Sequence, residues 1–353
     1  MNQQINDSTN NHKHLKMKVS IIILNWNGKA LMEEFLPSVI ANSPSDLAEI
    51  VVADNGSTDG SVEMLKEKFP SVKTIILDKN YGFAEGYNKA INQTDATYTV
   101  LLNSDVEVTA NWLDAPLAVL DAEKTVAAVQ PKIRAQLNKE YFEYAGAAGG
   151  FIDIYGYPYC RGRVMSVVEK DNGQYDTQAD VLWATGACLF VRTDVYKKEG
   201  GLDGRFFAHQ EEIDMCWRLR SRGYRVVCAP ESVVYHVGGA TLKVESPRKT
   251  FLNFRNNLLM LYKNLPEKDL RRVLRLRLWL DFIAATKFFA TGHQKNASAV
   301  FQARREFKQL IPDYTEIRKE NLQKTICNQI PEIRRNSLLA SFYFKGKRTF
   351  SKL

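Results

Sequence analysis

The chain has 353 residues, of which 45% are hydrophobic, so it is long enough for one large or two ordinary domains with a buried core. Its five cysteines are odd in number and form no CxxC pair, which favours a reduced cytosolic protein over a disulfide-stapled secreted one. Residues 243–353 carry 24 Lys and Arg against 9 Asp and Glu, so the net charge of +8 is concentrated in a basic C-terminal region.

The first part of the chain predicts an α/β fold. Residues 1–17 are polar and rich in asparagine, and we expect them to be a disordered lead and not a signal peptide. From Lys18 onward, short apolar runs alternate with amphipathic ones. This alternation predicts a mostly parallel central sheet flanked by helices, within a domain that spans residues 18–242. The predicted strands lie at 19–27, 48–54, 72–80, 97–105 and 126–133.

The regular alternation breaks after Ile133. Residues 138–180 are rich in Gly and Tyr, which predicts irregular hairpins or a mobile loop. Further on, the pattern predicts a strand at 180–192, a helix at 209–223 and two strands at 224–239. From Ser246 the pattern is helical to the end.

Polar side chains follow the predicted strands, where open α/β sheets bind their ligands. The segment ADNGSTDGS (53–61) can present the Asp54 carboxylate to a base or ribose, or it can be an ordinary strand–turn–helix with an N-cap. In NYGFAEGYNKA (80–90), Gly82 and Gly86 allow a ligand close to the backbone, or mark a helix start without a ligand. The chain contains neither a P-loop nor a GxGxxG fingerprint, which argues against a kinase and a dehydrogenase.

Three acidic or imidazole positions are open to two interpretations each. Asp105, directly after the apolar run of LLNSDVEV (101–108), is either a cation ligand or a turn residue. The acids of EEIDMCWRLR (211–220) complement a helix dipole, or raise one another's pKa as a general base requires. His236, at the end of a strand, is either a metal ligand or a structural residue.

Seven segments, taken in order, resemble family 2 glycosyltransferases, which have the GT-A nucleotide-sugar-binding fold. The resemblance covers about Val19 to Thr241 and is closest to the bacterial rhamnosyltransferase-like branch, which makes surface polysaccharides. The segments are VSIIILNWNG, VVADNGSTDGS, KNYGFAEGYN, LLNSDVEV, WATGACLFVR, EEIDMCWRLR and YHVGGAT.

The resemblance assigns roles to residues of this chain. Those that would bind the donor are Asn25, Asn27, Asp54, Asn55, Ser57, Asn80, Gly82, Phe83, Gly86, Asn103, Ser104 and Asp105. Asp105, at the family's DXD position, and His236 would hold Mg²⁺ or Mn²⁺. The catalytic group would be Glu212 as the base, with Glu211 and Asp214 beside it, although a Glu stands at 212 where the family has Asp. The sugar and acceptor floor would be Trp183, Thr185 and Gly186.

The resemblance implies an inverting, metal-dependent transfer from a nucleotide-diphosphate sugar, with dTDP-rhamnose as the donor that the branch suggests. The acceptor would be a glycan or a lipid-linked sugar in cell-surface polysaccharide synthesis. The alternative is a catalytically silent nucleotide-sugar-binding or scaffold subunit, favoured by Asn103 and by the Glu at 212. A sugar-nucleotide pyrophosphorylase would need a Gly-rich, basic loop after the first strand, and LNWNGKA is not one.

The basic region, 243–353, has two interpretations. Residues 271–295 are basic first, then apolar and aromatic, with an apolar core too short and too charged to span a bilayer. They predict either a helix on a membrane surface or a helix packed on the catalytic domain or on a second subunit of a homodimer. Nucleic-acid binding is not expected, because no recognised module is present. We expect a cytoplasmic protein at the inner face of the cell membrane.

Overall fold

The computed structural model describes residues 17–238 and 246–353. Of the predicted lead, residues 1–16 lie outside the described residues, as does the end of the YHVGGAT segment. The strands are β1 (Met17–Asn25), β2 (Ala48–Asp54), β3 (Lys73–Ile76), β4 (Ala96–Asn103), β5 (Val106–Val108), β6 (Val126–Ala135), β7 (Gly150–Asp153), β8 (Pro158–Cys160), β9 (Arg163–Val164), β10 (Val167–Val168), β11 (Ala179–Asp180), β12 (Cys188–Arg192), β13 (Arg225–His236) and β14 (Ile333–Arg334). The helices are α1 (Lys29–Ala41), α2 (Ser61–Lys68), α3 (Gly82–Ile91), α4 (Asp114–Ala122), α5 (Thr193–Lys198), α6 (Glu211–Ser221), α7 (Pro247–Asn264), α8 (Glu267–Ala290), α9 (Gln294–Gln323) and α10 (Leu338–Tyr343).

The central sheet is mostly parallel, as the sequence predicts. Its strand order is β11-β13-β6-β12-β4-β1-β2-β3, with β5 paired to β13. β1 is parallel to β2 and β4, whereas β12 runs antiparallel to its neighbours. Asn25 pairs in register with Asp54, and Leu24 with Asn103. The register therefore places the polar ends of β1, β2 and β4 side by side.

Both faces of the sheet are buried, which explains why the strands are continuous apolar runs. Successive side chains of a strand point to opposite faces. Ile22 accordingly joins one hydrophobic cluster, while its neighbours Ile21 and Ile23 join the other. Helices on each face complete the two clusters.

The structure corrects two predictions and selects between the alternatives of a third. One strand, β13, replaces the two strands predicted at 224–239, because an irregularity between Ala229 and Val233 only shifts its register with β6. Residues 138–180 include the hairpins that the sequence predicts, because the short strands β7 to β10 pair antiparallel with their neighbours. These four strands and β14 form a second sheet, ordered β10-β9-β8-β7-β14. The chain is not helical to its end, because β14 returns to pair with β7 and Phe350 packs on Phe151.

The C-terminal helices share the core of the α/β part. Ser246 caps α7 by accepting a hydrogen bond from the Lys249 amide at 3.2 Å, and Pro247 opens the helix. Leu258 of α7 belongs to the same hydrophobic cluster as Ile22 of β1 and Trp217 of α6. One continuous core therefore spans the predicted boundary at residue 242.

Candidate active site

The ends of β1 and β2 are joined by their side chains. Asn25 is fully buried, and its Nδ2 donates to Asp54 Oδ2 at 3.0 Å and to Ser57 Oγ at 3.1 Å. The backbone N–H of Ser57 donates to Asp54 Oδ1 at 2.9 Å. Asn27, with φ 52°, donates its N–H to Ser57 Oγ at 2.9 Å and accepts from the Thr58 amide at 2.8 Å. These predicted donor residues thus form one bonded wall.

The predicted residues of β2 and α3 form a second part of the wall. Asn55 is 2% exposed, and its Nδ2 donates to the Asn80 side chain at 3.2 Å and to the Gly82 carbonyl at 3.0 Å. The Gly82 N–H donates to Asn80 Oδ1 at 2.8 Å, and the Tyr81 N–H to Asn55 Oδ1 at 3.0 Å. The turn that opens α3 is therefore fixed to the end of β2.

Three glycines permit close approaches around this wall. Gly82 has φ 78°, and a Cβ there would lie 2.5 Å from the Phe207 ring. A Cβ at Gly86 would lie 2.9 Å from Leu24, and one at Gly186 would lie 2.9 Å from Phe83. The predicted residues Phe83 and Gly186 are therefore in contact across the fold.

Asp105 and His236 meet where β4 ends. The Asp105 Oδ1 lies 3.1 Å from His236 Nε2, and the Asn103 side-chain amide lies 3.3 Å from the same nitrogen. Burial opposes charge on both groups, but their mutual hydrogen bond lowers the pKa of Asp105. The carboxylates of Asp105 and Glu143 outweigh burial and raise the pKa of His236 to about 10. Ser104 lies beside Gly28, whose added Cβ would be 3.6 Å from its Oγ.

The donor atoms of this pair suit a divalent cation. A carboxylate oxygen and an imidazole nitrogen converge within 3.1 Å, and both side chains are buried. Within residues 17–238 and 246–353, no cluster of three or more His, Cys, Asp or Glu side chains could hold a metal ion. Mg²⁺ keeps few protein ligands when substrate phosphates and water supply the others, so two protein ligands fit.

Glu143 is a site residue that the sequence prediction missed. Its carboxylate lies 3.6 Å from His236 Nδ1, slightly beyond hydrogen-bond length, and its other oxygen accepts from the Ala145 amide at 2.6 Å. A Cβ at Gly238 would lie 2.9 Å from this carboxylate. Glu143 stands in the irregular segment 138–180 and carries no motif. Only its backbone pairing with Ile133, at the end of β6, brings it to the site.

Glu211 and Glu212 begin α6 and differ in their surroundings. Burial raises the pKa of the half-buried Glu212 to about 7. Burial, reinforced by the charge of Glu212, raises the pKa of the buried Glu211 well above its usual range. One oxygen of each carboxyl group has no hydrogen-bond partner among the described residues. At neutral pH, Glu212 can therefore take up and release a proton, and burial favours the neutral form of its neighbour Glu211.

The loop before Glu211 is held in an unusual conformation. Phe207, His209 and Gln210 all have positive φ, of 65°, 71° and 73°. Such left-handed backbone is costly for residues other than glycine and needs support from its surroundings. Asn256 of α7 provides this support by donating to three loop carbonyls, including those of Phe206 and His209 at 2.9 and 2.8 Å. The basic region thus holds the residues that precede the candidate base.

The loop also touches the donor wall. The Phe207 carbonyl accepts from the Phe83 amide at 2.6 Å and from the Ala84 amide at 3.2 Å. Burial raises the pKa of the Cys160 thiol, and the nearby carboxylates of Glu143 and Glu212 add to this effect. Cys160 therefore lies within electrostatic reach of both the candidate base, Glu212, and Glu143, the carboxylate near His236.

Two predicted residues, Asp214 and Trp183, have structural roles, and a third, Thr185, is held in place by β6. Asp214 is fully buried and bonded to Lys263 and Arg218, at 2.7 and 3.0 Å. Burial opposes its charge, but these two cations lower the pKa of Asp214, so it is a structural anion and not a candidate base. Trp183 packs against Gly150 and donates to a backbone carbonyl at 3.0 Å, which leaves it in the core. Thr185 is positioned by Gln130, whose Oε1 accepts from its amide at 2.9 Å.

Several known proteins are similar to this chain in sequence. A protein from Mycobacterium tuberculosis described as N-acetylglucosaminyl-diphospho-decaprenol L-rhamnosyltransferase is 25% identical over 231 residues, which cover 61% of this chain and 75% of that protein. The O-antigen biosynthesis protein RfbC of Myxococcus xanthus is 25% identical over 237 residues, or 65% of this chain and 18% of that protein.

Solved structures share the fold at low sequence identity. GalNAc-T7 with UDP, GalNAc and Mn²⁺ has a TM-score of 0.59 at 14% identity, covering 95% of this chain and 58% of that one. S. aureus TarS 1-349 in complex with UDP-GlcNAc has a TM-score of 0.56 at 16% identity, covering 87% of this chain and 89% of that one. The fold is the GT-A fold expected from the sequence.

The family is established by a direct match. The model described as Glycosyl transferase family 2 matches residues 20–198, which is half of the chain. The matched segment includes β1, β2 and β4 and the candidate donor wall at their ends. The chain therefore belongs to glycosyl transferase family 2 and is a glycosyltransferase with the GT-A fold.

Proposed function

We propose that this glycosyltransferase is an inverting, metal-dependent enzyme that transfers a sugar from a nucleoside-diphosphate sugar to a glycan or lipid-linked acceptor. The observation that carries the proposal is the pairing of Asp105 with His236, whose carboxylate oxygen and imidazole nitrogen lie 3.1 Å apart. Burial raises the pKa of Glu212 to about 7, which suits a general base at neutral pH. The site thus combines a candidate cation pair with a candidate base.

The reaction needs a proton acceptor and a stabilised leaving group. Glu212 takes the proton of the acceptor hydroxyl while the hydroxyl oxygen bonds to the anomeric carbon of the sugar. The bond between that carbon and the diphosphate breaks in the same displacement, so the configuration inverts. Mg²⁺ or Mn²⁺, when bound by Asp105 and His236, supplies positive charge to the leaving diphosphate as a Lewis acid. The wall formed by Asn25, Asp54 and their partners orients the nucleotide.

The donor and acceptor follow from the relatives. The mycobacterial relative is named as a rhamnosyltransferase that acts on a decaprenol-linked sugar, and the Myxococcus relative as an O-antigen biosynthesis protein. These names support rhamnose as the transferred sugar, a lipid-linked sugar as the acceptor and cell-surface polysaccharide as the product. We propose dTDP-rhamnose as the donor, which the sequence resemblance suggests. We accordingly place the reaction at the inner face of the cell membrane.

Thermal unfolding with a panel of nucleotide-sugars tests the donor. With Mn²⁺ present, dTDP-rhamnose should raise Tm by a few degrees, because a ligand at 100 times its Kd stabilises the native state by about 2.7 kcal/mol. UDP-GlcNAc, GDP-mannose and free sugars serve as comparisons. Stabilisation by a different nucleotide-sugar would identify that compound as the donor in place of dTDP-rhamnose. Stabilisation by none of the nucleotide-sugars would contradict the proposal.

The scaffold alternative is favoured by the Glu at 212 and by the amide of Asn103, which stands where the family has a carboxylate. The amide lies 3.3 Å from His236, so it supports the candidate ligand pair and leaves it intact. Detection of donor binding without hydrolysis or transfer to any acceptor would favour this alternative.

Replacing Glu143 with Ala should weaken Mn²⁺-supported donor binding by about 10- to 100-fold, as loss of a group behind a metal-binding histidine usually does. Glu143 lies 3.6 Å from His236 Nδ1 and is fixed by the Ala145 amide, so it orients the imidazole. Calorimetric titration of the donor with and without Mn²⁺ measures the effect. Glu140→Ala, at a side chain with 68% exposure, is the matched control. Equal donor affinity in the two variants would contradict the positioning role.

A further inference from the structure

Helix α8 exposes a row of large apolar side chains. Trp279 is 66% exposed, Ile283 61% and Phe289 66%. Phe282 is also exposed and lies against exposed Phe301 of α9, with ring centroids 6.5 Å apart. We call these five side chains the α8 patch. A contiguous exposed apolar surface of this kind marks an interaction site on a folded protein.

The patch is not the face by which α8 packs on the protein. The buried face of α8 carries Val273, Arg277, Asp281 and Ala285. Arg277 and Asp281 are bonded to each other at 3.0 Å, and Arg304 of α9 is bonded to the same carboxylate. Helical spacing turns the α8 patch away from this inner face. The outward face is therefore apolar where a helix on a protein surface is ordinarily polar.

Basic side chains flank the patch. Arg271, Arg272 and Arg275 are exposed in the turns before Trp279, and Lys287 is exposed before Phe289. Arg272 is bonded to Asp269 at 3.0 Å. Cationic side chains beside exposed aromatic and aliphatic ones are the composition of helices that lie in a membrane interface, where anionic headgroups attract the basic groups. The charges thus complement an anionic lipid surface.

Helix α8 is linked to the loop beside the candidate base. Asn257 of α7 donates to the Gln210 side chain at 3.0 Å, and its Oδ1 accepts from Arg277 of α8. Gln210 directly precedes Glu211. One buried side chain therefore connects the inner face of α8 to the loop beside the candidate base.

In the part of the chain that the structure describes, no helix has both the length and the apolar character to cross a bilayer. We propose that the α8 patch and its flanking arginines dock α8 in the plane of a membrane surface that contains anionic lipids. The docking brings the site close to lipid-linked substrates, and only this consequence depends on the proposed function.

Sedimentation of the full-length protein with lipid vesicles tests the docking. The protein should bind vesicles of phosphatidylcholine with phosphatidylglycerol, bind pure phosphatidylcholine more weakly, and dissociate as salt is raised. The triple change Trp279→Ser, Phe282→Ser, Ile283→Ser and the double change Arg271→Glu, Arg275→Glu should each weaken binding by about tenfold or more.

Two sets of controls match these changes. Tyr343→Ser with Phe344→Ser removes exposed aromatic side chains elsewhere, and Lys319→Glu with Lys324→Glu reverses exposed charges at the far end of α9. Both should bind vesicles as the unchanged protein does. Circular dichroism establishes that all variants are folded.

Three results would overturn the docking. The first is that the unchanged protein does not bind anionic vesicles. The second is that the control variants lose as much binding as the test variants. The third is that the unchanged protein binds no vesicles but forms a dimer, and that the triple change dissociates this dimer. The last result would assign the patch to a second copy of the chain. Because the vesicles carry no sugar donor or acceptor, the binding experiment tests the docking independently of sugar transfer.

Discussion

Replacing Glu212 with Gln should lower the rate of sugar transfer by about 10²- to 10⁴-fold, the usual contribution of a general base. The change keeps the shape of the side chain and removes only its ability to accept a proton. Donor binding should remain, because the residues of the donor wall and the Asp105–His236 pair are unchanged. Glu316→Gln, at a side chain with 80% exposure, is the matched control and should transfer sugar at the normal rate.

The pH dependence of the reaction gives a second readout of the same residue. Burial raises the pKa of Glu212 to about 7, so the carboxyl group is increasingly protonated below this pH and cannot act as a base. The value of kcat should therefore fall about tenfold for each pH unit below 7 and level off above it. The residual activity of Glu212→Gln should not show this fall of kcat below pH 7. If kcat of the variant falls below pH 7 as steeply as kcat of the unchanged protein, the base is another group.

Replacing Asp105 with Ala should abolish detectable transfer and the effect of Mn²⁺ on donor binding. The change removes one of the two candidate ligands, and it leaves His236 without the carboxylate oxygen that lies 3.1 Å away. Because a cation helps the leaving diphosphate and holds it in place, both chemistry and donor affinity should suffer. Calorimetric titration of the donor with and without Mn²⁺, together with a transfer assay, measures the two effects.

The control for this change is Asp46→Ala, which removes an exposed carboxylate away from the site. It should bind the donor and respond to Mn²⁺ as the unchanged protein does. Normal transfer by Asp105→Ala in the presence of a chelator would contradict the metal-dependent reaction.

Local pattern predicted much of the fold. β1 is a continuous apolar run, and the structure buries it on both faces, as parallel strands between helices require. The pairing of β14 with β7 joins residues about 180 positions apart, and no local signal announces it. The single strand β13 was predicted as two, because Pro230 and Glu231 look like a turn, although the structure makes them an irregularity within one strand.

Some of the site residues could likewise be predicted from local pattern, and others could not. Asn25, Asp54, Asp105 and His236 lie together because they follow strands whose ends share one edge of the sheet. Asp214 was predicted as catalytic from its place beside Glu212, but the helix turns it toward Lys263. Glu212 and Asp214 are two positions apart, about half a helical turn, so they point to different sides of α6. Spacing along the sequence could not say which side faced the site.

The support for the site comes from segments without motifs. Asn256, fully buried in α7, holds the strained loop before Glu211, and Gln130 in β6 fixes Thr185. Both side chains bond to backbone atoms, and because every residue has these atoms, the sequence pattern does not predict such contacts. Helix α7 of the basic region therefore supports the loop beside the candidate base.

Comparing donor binding by Asp105→Ala and Glu212→Gln tests the central claim most directly. Each variant is titrated with the nucleotide-sugar that stabilises the unchanged protein most, with and without Mn²⁺. If Asp105 belongs to the cation pair and Glu212 is the base, only Asp105→Ala loses Mn²⁺-dependent binding, while transfer is undetectable in Asp105→Ala and about 10²- to 10⁴-fold slower in Glu212→Gln. Equal loss of donor binding in both variants would contradict this division of roles.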